Sequence, residues 1–371
     1  MPDLLAATRD VVELAAKNAA DAETNRRLDP EVVRGVVAAG FARHFVPTRF
    51  GGRASTFTGL VEPVAVLGEA CVSTAWCASL TAALGRMTAY LPVEGQAEVW
   101  SDGPDALVVG ALMPLGRAEP TEGGWRLSGS WPFVSIVEYS DWALVCAMAP
   151  GADRPQPWFF AVPRDTYRIA DTWHTMGMRG TGSNTLILDD VFVPSERGCS
   201  RESIAAGDAV AAEAICHTVP MRAVNGLAFA VPVLGAARGA AAAWTPWVAE
   251  KLGGGSNAIS ALDRGAYEQT LARAHGEIDA AQLLLERVAR VADAGGVTPL
   301  AVTRGSRDCA LAAETLVAAT DRLFTTAGTR AQAENNPLQR FWRDAHAAAS
   351  HIGLQFGTAA SAYAGRLLAG R

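Results

Sequence analysis

The side chains best suited to chemistry lie close together near the C-terminus. Within residues 335–351 four candidates stand out by type and spacing: Arg343, Asp344, His346 and His351. Pro337 is typical of a first helical position, and the pattern after it predicts one helix from Pro337 to about Leu368. On that helix Asp344, Ala348 and His351 are spaced i, i+4 and i+7, so the carboxylate and the imidazole share one face. The segment therefore predicts a shallow polar notch that a flat ligand could approach.

Composition predicts a large, well-packed globular protein. The 371 residues are too many for one simple core and predict two or three domains. Half of the residues are hydrophobic, only 19% are charged, and the mean hydropathy is +0.13. A net charge of −6 and a pI near 5.6 argue against a nucleic-acid groove or a basic membrane surface. No uninterrupted apolar run reaches the roughly 20 residues of a membrane span, and the N-terminus does not resemble a secretion signal.

The cysteines form no CxxC pair and no cluster with the spacing of metal ligands. There are six: Cys71, Cys77, Cys146, Cys199, Cys216 and Cys309. Because their surroundings are mostly apolar, we expect reduced, buried thiols in a cytoplasmic protein and no metal site.

The hydrophobic pattern changes twice along the chain, which predicts three domains. Residues 1–104 have helical periodicity, residues 105–200 form short strands between turns, and residues 201–371 are helical again. Four long helices are predicted in the last part, at about Val224–Leu252, Gly265–Ala294, Pro299–Ala327 and Pro337–Leu368. The predicted fold class is α+β, mostly α: an N-terminal helical domain, a small β-barrel or β-sandwich, and a C-terminal four-helix bundle.

Two segments of the β region could hold a ligand. The first, at 129–135, has the pattern Gly-x-Trp-Pro-Phe-x-Ser, and the second, at 177–183, has the pattern Gly-x-Arg-Gly-Thr-Gly-Ser. The aromatic residues Trp131 and Phe133 could equally be inter-domain core, and 180–183 could be an ordinary loop.

Together with Pro-Leu-Gln-Arg-Phe-Trp-Arg-Asp-x-His at 337–346, these segments resemble the acyl-CoA dehydrogenase superfamily, and within it the two-component flavin-dependent monooxygenases. The resemblance covers nearly the whole chain, with the three motifs in the expected order and domains. It implies a flavin ring held between the β domain and the bundle of a homotetramer or homodimer.

The resemblance also implies the flavin contacts. Trp131 and Phe133 would offer flat apolar surface, and Ser135 would place a hydroxyl near the flavin N5 atom. Thr181 and Ser183 would hydrogen-bond the pyrimidine edge or the ribityl chain, where neighbouring glycines permit close approach.

Arginines complete the predicted cofactor site. Arg179 lies within the second motif, and Arg273 is the main candidate for the flavin phosphates, with Arg322 and Arg330 as alternatives. Ala327 stands where the dehydrogenases commonly have a glycine, which leaves FAD and FMN both open.

One departure distinguishes the branches of the superfamily. The common dehydrogenases take a substrate proton with a glutamate just before a late Gly-Thr, whereas this chain has Gln355 and Phe356 there. A glutamine cannot accept that proton, which favours oxygenation. A dehydrogenase acting on an acyl thioester, with a base from another position, remains the alternative.

Oxygenation suggests roles for the histidines. Reduced flavin and O2 form a C4a-hydroperoxide, which persists only if water is excluded and the N5 proton is held, here by Ser135. The family's monooxygenases tend to place a histidine eight residues after the helix arginine, so His351 follows from Arg343 as the first acid–base candidate and His346 is the second. Either histidine could instead be structural, with His346 contacting Asp344 or a neighbouring subunit.

The sequence thus predicts a monooxygenase supplied with FADH2 or FMNH2 by a separate NAD(P)H:flavin reductase, since no GxGxxG follows a strand. The expected substrate is an aromatic or heterocyclic small molecule, hydroxylated at carbon or oxidised at N or S. Its pocket is expected around 86–90, Met113 and the bundle helices. A non-enzymatic assembly or binding module is the third alternative, against which the intact motifs argue.

Overall fold

The computed structural model describes residues 3–253 and 261–369. The N-terminal part is helical, with helices at α1 Leu4–Asn25, α2 Pro30–Ala39, α3 Thr58–Ala70, α4 Val72–Thr88 and α5 Val93–Val99. Local chemistry sets α2: Asp29 accepts a hydrogen bond from the Glu31 N–H, Pro30 takes the first position, and Gly40 ends the helix in the left-handed region. All three residues are of the types that commonly occupy these positions, so the sequence alone marks where α2 begins and ends.

The middle part is one mixed sheet. Its strands are β1 Val108–Thr121, β2 Gly124–Val134, β3 Trp142–Ala149, β4 Gln156–Pro163, β5 Arg168–Ala170, β6 Asn184–Pro194 and β7 Gly198–Ser200. The order is β5-β6-β2-β1-β3-β4-β7, and only the β1–β3 pair is parallel among the described strands. Strands β1 and β2 form a hairpin: Thr121 pairs with Gly124 across a turn in which Gly123 has φ +75°. Neither β5 nor β7 was predicted, because three residues are too few to show alternation.

The C-terminal part is a helical bundle. Its helices are α6 Arg201–Ala206, α7 Met221–Gly253, α8 Ala261–Asp293, α9 Pro299–Ala327, α10 Pro337–Ala349 and α11 Phe356–Ala369. By length and composition α7 could cross a membrane, but 83% of its most apolar window is buried among the other helices. We therefore interpret α7 as the core helix of the bundle. All six cysteines are free and buried, as expected.

The predicted fold class is confirmed by the order of the elements: helices, then a sheet, then a helical bundle. The domain limits after residues 104 and 200 stay a prediction. One apolar core joins the N-terminal helices to the bundle, and a second fills the sheet and reaches α1 and α2.

The single helix predicted over 337–368 is wrong. The helix α10 ends at Ala349, and His351 has extended backbone angles (φ −58°, ψ 138°) at the start of a short 3-10 turn, Ile352–Leu354. The His351 Nδ1 atom accepts a hydrogen bond from the Gly353 N–H at 3.1 Å, a local bond that competes with helix continuation. Asp344 and His351 therefore do not share one helical face, and the predicted notch is absent.

The crossing of α3 and α7 depends on two glycines, which gives a stability prediction. A Cβ atom on Gly235 would lie 2.5 Å from both the Ala65 carbonyl oxygen and the Gly68 Cα atom. We expect Gly235→Ala to separate the helices and lower the free energy of unfolding by about 1–3 kcal/mol, as overpacking does.

A matched control is Gly276→Ala within α8, where an added Cβ meets no atom within 4 Å. That change should stabilise the protein by up to about 1 kcal/mol, since alanine favours helix. Urea unfolding of both variants checks the prediction, and equal effects would contradict it.

Candidate active site

Three buried hydroxyl groups form a chain where β2 ends and β6 begins. Ser135 follows β2, Thr181 closes the 3-10 turn Arg179–Thr181, and Ser183 precedes β6. The Ser135 Oγ and Ser183 Oγ atoms are 2.8 Å apart, and the Ser183 Oγ and Thr181 Oγ1 atoms are 2.6 Å apart. All three side chains are less than a tenth exposed. The two predicted motifs therefore meet through hydrogen bonds.

The direction of this chain follows from its ends. Thr181 Oγ1 donates to the Met178 carbonyl oxygen at 2.9 Å. Because each hydroxyl has one proton, Ser183 must then donate to Thr181, and Ser135 must donate to Ser183. At the other end the Trp76 indole N–H donates to Ser135 Oγ at 3.1 Å. When all four bonds are formed, the Ser135 proton lies towards Ser183, and Ser135 can accept a further hydrogen bond.

An irregularity in β2 separates the two aromatic residues of the first motif. In a regular strand Trp131 and Phe133 would face the same side, but Phe133 has φ +66° and the β2–β6 register shifts between Trp131 and Val134. As a result Trp131 is fully buried and Phe133 is 71% exposed.

Trp131 belongs to the core of the sheet, so the structure corrects its predicted role. Its indole N–H donates to the Cys146 carbonyl oxygen at 2.7 Å, and its ring packs so closely on Gly116 that a Cβ there would lie 2.1 Å from it. No face of Trp131 is open to a cofactor. Phe133, in contrast, extends outward with its ring centroid 6.1 Å from that of Trp173.

His351 reaches the hydroxyl chain through aromatic neighbours. Its ring stacks on Phe229 with a centroid separation of 3.7 Å and lies edge-on to Trp76 at 5.8 Å. Since its Nδ1 atom accepts the Gly353 N–H, its proton is on Nε2. Burial lowers the pKa of His351 to about 4, so the imidazole is neutral at physiological pH.

His346 lies elsewhere. Its Nε2 atom is 2.8 Å from the Asp321 Oδ1 atom, which also accepts the Trp342 indole N–H at 2.6 Å. These groups face an open cavity of about 410 Å³ between α9 and α10. The structure therefore separates the two predicted histidines and pairs His346 with Asp321 rather than with Asp344.

Asp344 connects α10 to the second motif. Its carboxylate is buried and accepts the Met178 N–H at 2.5 Å, next to the carbonyl oxygen at which the hydroxyl chain ends. Burial raises the pKa of Asp344 to about 6. Sequence reasoning chose Asp344 as part of a notch, whereas the structure assigns it to positioning the loop.

Each of the two predicted cofactor arginines has partners within the protein. Arg179 donates to the carbonyl oxygens of Glu23 at 3.0 Å and Thr175 at 2.9 Å, which attaches the second motif to α1. Arg273 is 70% exposed on α8 and pairs with Glu277.

A narrow apolar pocket lies between α3, α4 and α7. Its α4 wall begins at Ser79, one turn after Trp76, and its α7 wall includes Ala228, next to Phe229. Its volume is about 40 Å³. The sequence analysis placed the pocket near 86–90 but did not identify Trp76 or Phe229, because no motif marks either aromatic residue.

The pKa of His351 makes stability depend on pH. Its value is about 4 in the folded protein against about 6.5 unfolded, so the unfolded state binds more protons between these values. Stability from this group is complete above pH 6.5 and decreases as the pH falls towards 4, by about 2 kcal/mol at pH 5. We expect His351→Gln to remove that loss, measured as urea unfolding of both proteins at pH 7.5 and pH 5. An unchanged pH dependence of unfolding in His351→Gln would contradict the prediction. The raised pKa of Asp344 makes its own contribution to stability increase as the pH falls, but this contribution is the same in both proteins.

Comparisons with known proteins extend over the full chain. Residues 227–356 match the family described as acyl-CoA dehydrogenase, C-terminal domain. The chain is 33% identical to the oxygenase component of FADH(2)-dependent resorcinol hydroxylase from Rhizobium sp., with 93% of this chain and 89% of that protein covered. It is 31% identical to the flavin-dependent monooxygenase oxygenase subunit HsaA of Mycobacterium tuberculosis, with 94% and 91% covered.

Two solved structures match this chain over almost its whole length. The crystal structure of 3-HSA hydroxylase from Rhodococcus sp. RHA1 matches with a TM-score of 0.94 at 27% identity, covering 99% of this chain and 97% of that one. XiaF from Streptomyces sp., in complex with FADH2 and glycerol, matches with a TM-score of 0.90 at 30% identity, covering 99% and 95%.

Proposed function

Since this chain belongs to the family of oxygenase components of two-component flavin-dependent monooxygenases with the acyl-CoA dehydrogenase fold, we propose that it hydroxylates an aromatic small molecule. Membership confirms the family predicted from the motifs. The relatives are FADH2-dependent or flavin-dependent hydroxylases, and as oxygenase components they imply a separate flavin reductase. We further propose that the protein is a homotetramer or homodimer and that it is cytoplasmic. Oxidation of the substrate at N or S is the proposed variant of the same chemistry.

The observation that carries the proposal is the direction of the hydroxyl chain. A reduced flavin has a proton on N5, whereas the N5 atom of an oxidised flavin has only a lone pair. Ser135, with its proton bonded to Ser183, can accept from the first, whereas donation to the second would break its bond to Ser183. The site therefore suits a protein that receives flavin already reduced.

Exposed apolar side chains support a flavin ring at this place. Phe133 is 71% exposed and Met176 is 56% exposed, beside the partly buried Trp173. Such a patch next to buried polar groups is typical of a ligand site. We assign Phe133 and Ser135 to direct flavin contact. We assign Thr181 and Ser183 to holding the Ser135 proton, because their hydroxyls are buried and bonded to each other.

The remaining cofactor residues have different roles in this proposal. Arg179 positions the second motif, and Arg273 stays a prediction for a flavin phosphate. When bound, reduced flavin supplies the electrons that activate O2. The protein supplies a dry pocket, the acceptor on Ser135, and the neutral imidazole of His351, which can donate a hydrogen bond from Nε2 or take a substrate proton.

The acyl thioester dehydrogenase remains the second candidate and is disfavoured by one observation. Gln355, at the position of the common glutamate, is exposed and donates to the Ser350 carbonyl oxygen at 3.1 Å. No carboxylate is available there.

Rapid mixing of the protein and reduced FAD or FMN with O2 tests the proposal. We expect a transient absorbance spectrum, different from both reduced and oxidised flavin, that outlasts the reaction of free flavin. Addition of aromatic compounds should be included, since some oxygenases require bound substrate. Direct oxidation under every condition, together with anaerobic flavin bleaching by an acyl thioester, would favour the dehydrogenase.

A further inference from the structure

A buried arginine without a counter-ion lines the pocket beside the candidate active site. Arg86, on α4, is 3% exposed, and no carboxylate lies within ion-pair distance of it in residues 3–253 and 261–369. Its partners are neutral: Nε donates to the Cys216 carbonyl oxygen at 2.6 Å, and Nη2 donates to the Tyr90 hydroxyl at 3.1 Å and to the Val219 carbonyl oxygen. Its guanidinium also lies 5.4 Å from the centroid of the Phe57 ring.

The Nη1 group of Arg86 is available to a ligand. Within the described residues neither of its N–H groups has a hydrogen-bond partner, although the other three donors are all used. Two further polar side chains of the same pocket, Ser79 and Asn225, also make no side-chain hydrogen bond in the described part of the chain. The other walls are mostly apolar, for example Val61 of α3 and Leu227 of α7. A small set of convergent polar groups in an apolar pocket is the usual form of a small-molecule site.

The positive charge of Arg86 indicates which kind of ligand the pocket would bind. Moving a guanidinium out of water is costly, and backbone carbonyls offset this cost only in part. Burial lowers the pKa of Arg86, although an arginine stays charged at neutral pH. An anionic group on Nη1 would supply the missing charge, and a carboxylate matches the geometry of a guanidinium.

We propose that the pocket binds an aromatic acid, with its carboxylate on Arg86 and its reacting ring towards Trp76 and Phe229. This inference rests on the proposed hydroxylase function and names the substrate class. Arg86 lies about 15 Å along α4 from Trp76, which favours a substrate whose carboxylate is remote from the ring carbon to be oxidised.

The pocket must widen to admit such a molecule. Its volume of about 40 Å³ is well below the roughly 150 Å³ of a cavity that holds benzene. Met87 and Met221 line the pocket and are the side chains that can rearrange most easily.

Calorimetric titration with matched acids and amides tests the proposal without flavin or O2. The probes are 4-hydroxybenzoate, 3-(4-hydroxyphenyl)propionate and 4-(4-hydroxyphenyl)benzoate, each compared with its uncharged amide. We expect the full-length protein to bind at least one acid tenfold or more tightly than its amide. Arg86→Gln should abolish this preference, and Arg86→Lys should keep part of it. Arg117→Gln, which removes a charge from an exposed side chain of β1 outside the pocket, should keep all of it.

Three results would overturn the proposal: no acid preference in any pair, a preference that survives in Arg86→Gln, or an equal loss in Arg117→Gln. If Arg86→Gln does not fold, as circular dichroism would show, the acid and amide affinities of the unmodified protein still decide. Because binding is measured without flavin, an acid preference in a protein that forms no oxygenated flavin would reject the hydroxylase function and leave the anion site standing.

Discussion

Replacing His351 with alanine should lower the yield of oxidised product per reduced flavin consumed by about tenfold or more, since an acid–base group typically contributes about 10²–10⁴-fold to a rate. The imidazole lies against Trp76, whose indole N–H donates to Ser135, so one aromatic side chain separates it from the hydroxyl chain. With a pKa of about 4 the imidazole is neutral at physiological pH and can exchange a proton with substrate. Folding and flavin binding should stay near those of the unmodified protein.

The matched control is His346→Ala. That side chain pairs with Asp321 in a different cavity, so its loss should leave the coupling of flavin oxidation to product unchanged. Product and hydrogen peroxide are measured together after a single turnover with an accepted substrate. Unchanged coupling in His351→Ala would eliminate the proposed role, and a large effect of His346→Ala would reverse the assignment.

Replacing Ser135 with alanine should reduce the preference for reduced over oxidised flavin by about tenfold, the worth of roughly one hydrogen bond. The variant loses the acceptor for the flavin N5 proton, and the Trp76 N–H loses its partner. Affinities for both flavin forms, measured anaerobically by fluorescence, give the preference directly.

Two companion variants make this prediction sharper. Ser183→Ala frees the Ser135 proton, so Ser135 could donate to the N5 atom of oxidised flavin and the affinity for that form should rise. Ser130→Ala changes an exposed side chain of the same strand and should have no effect. A Ser183→Ala protein with unchanged affinity for oxidised flavin would refute the assigned direction of the chain.

What could be predicted from the sequence was local or came from family motifs. The limits of α2 follow from Asp29, Pro30 and Gly40, which act on their immediate neighbours. The hydroxyls at Ser135 and Ser183 were found because each lies in a recognisable segment, and the structure brings those segments together.

The errors came from interactions between distant parts of the chain. The break after α10 depends on the packing of His351 against Phe229, a residue of another helix, which no helical propensity reveals. The burial of Trp131 depends on a positive φ at Phe133, which is not a residue type that usually marks such a bend. The sequence indicates a pocket near residues 86–90, but the isolation of Arg86 from carboxylates exists only once α4 is packed.

The fixed direction of the hydroxyl chain has a consequence for how a two-component system cycles. Reduced flavin would bind with its N5 proton donated to Ser135. After oxidation the N5 atom would have no proton to donate, while the Ser135 proton would still be bonded to Ser183. Oxidation would thus weaken the binding of the flavin that has just reacted. Oxidised flavin would therefore dissociate more readily than reduced flavin. The redox state of the flavin would by itself set the order of exchange with the reductase, without a conformational gate.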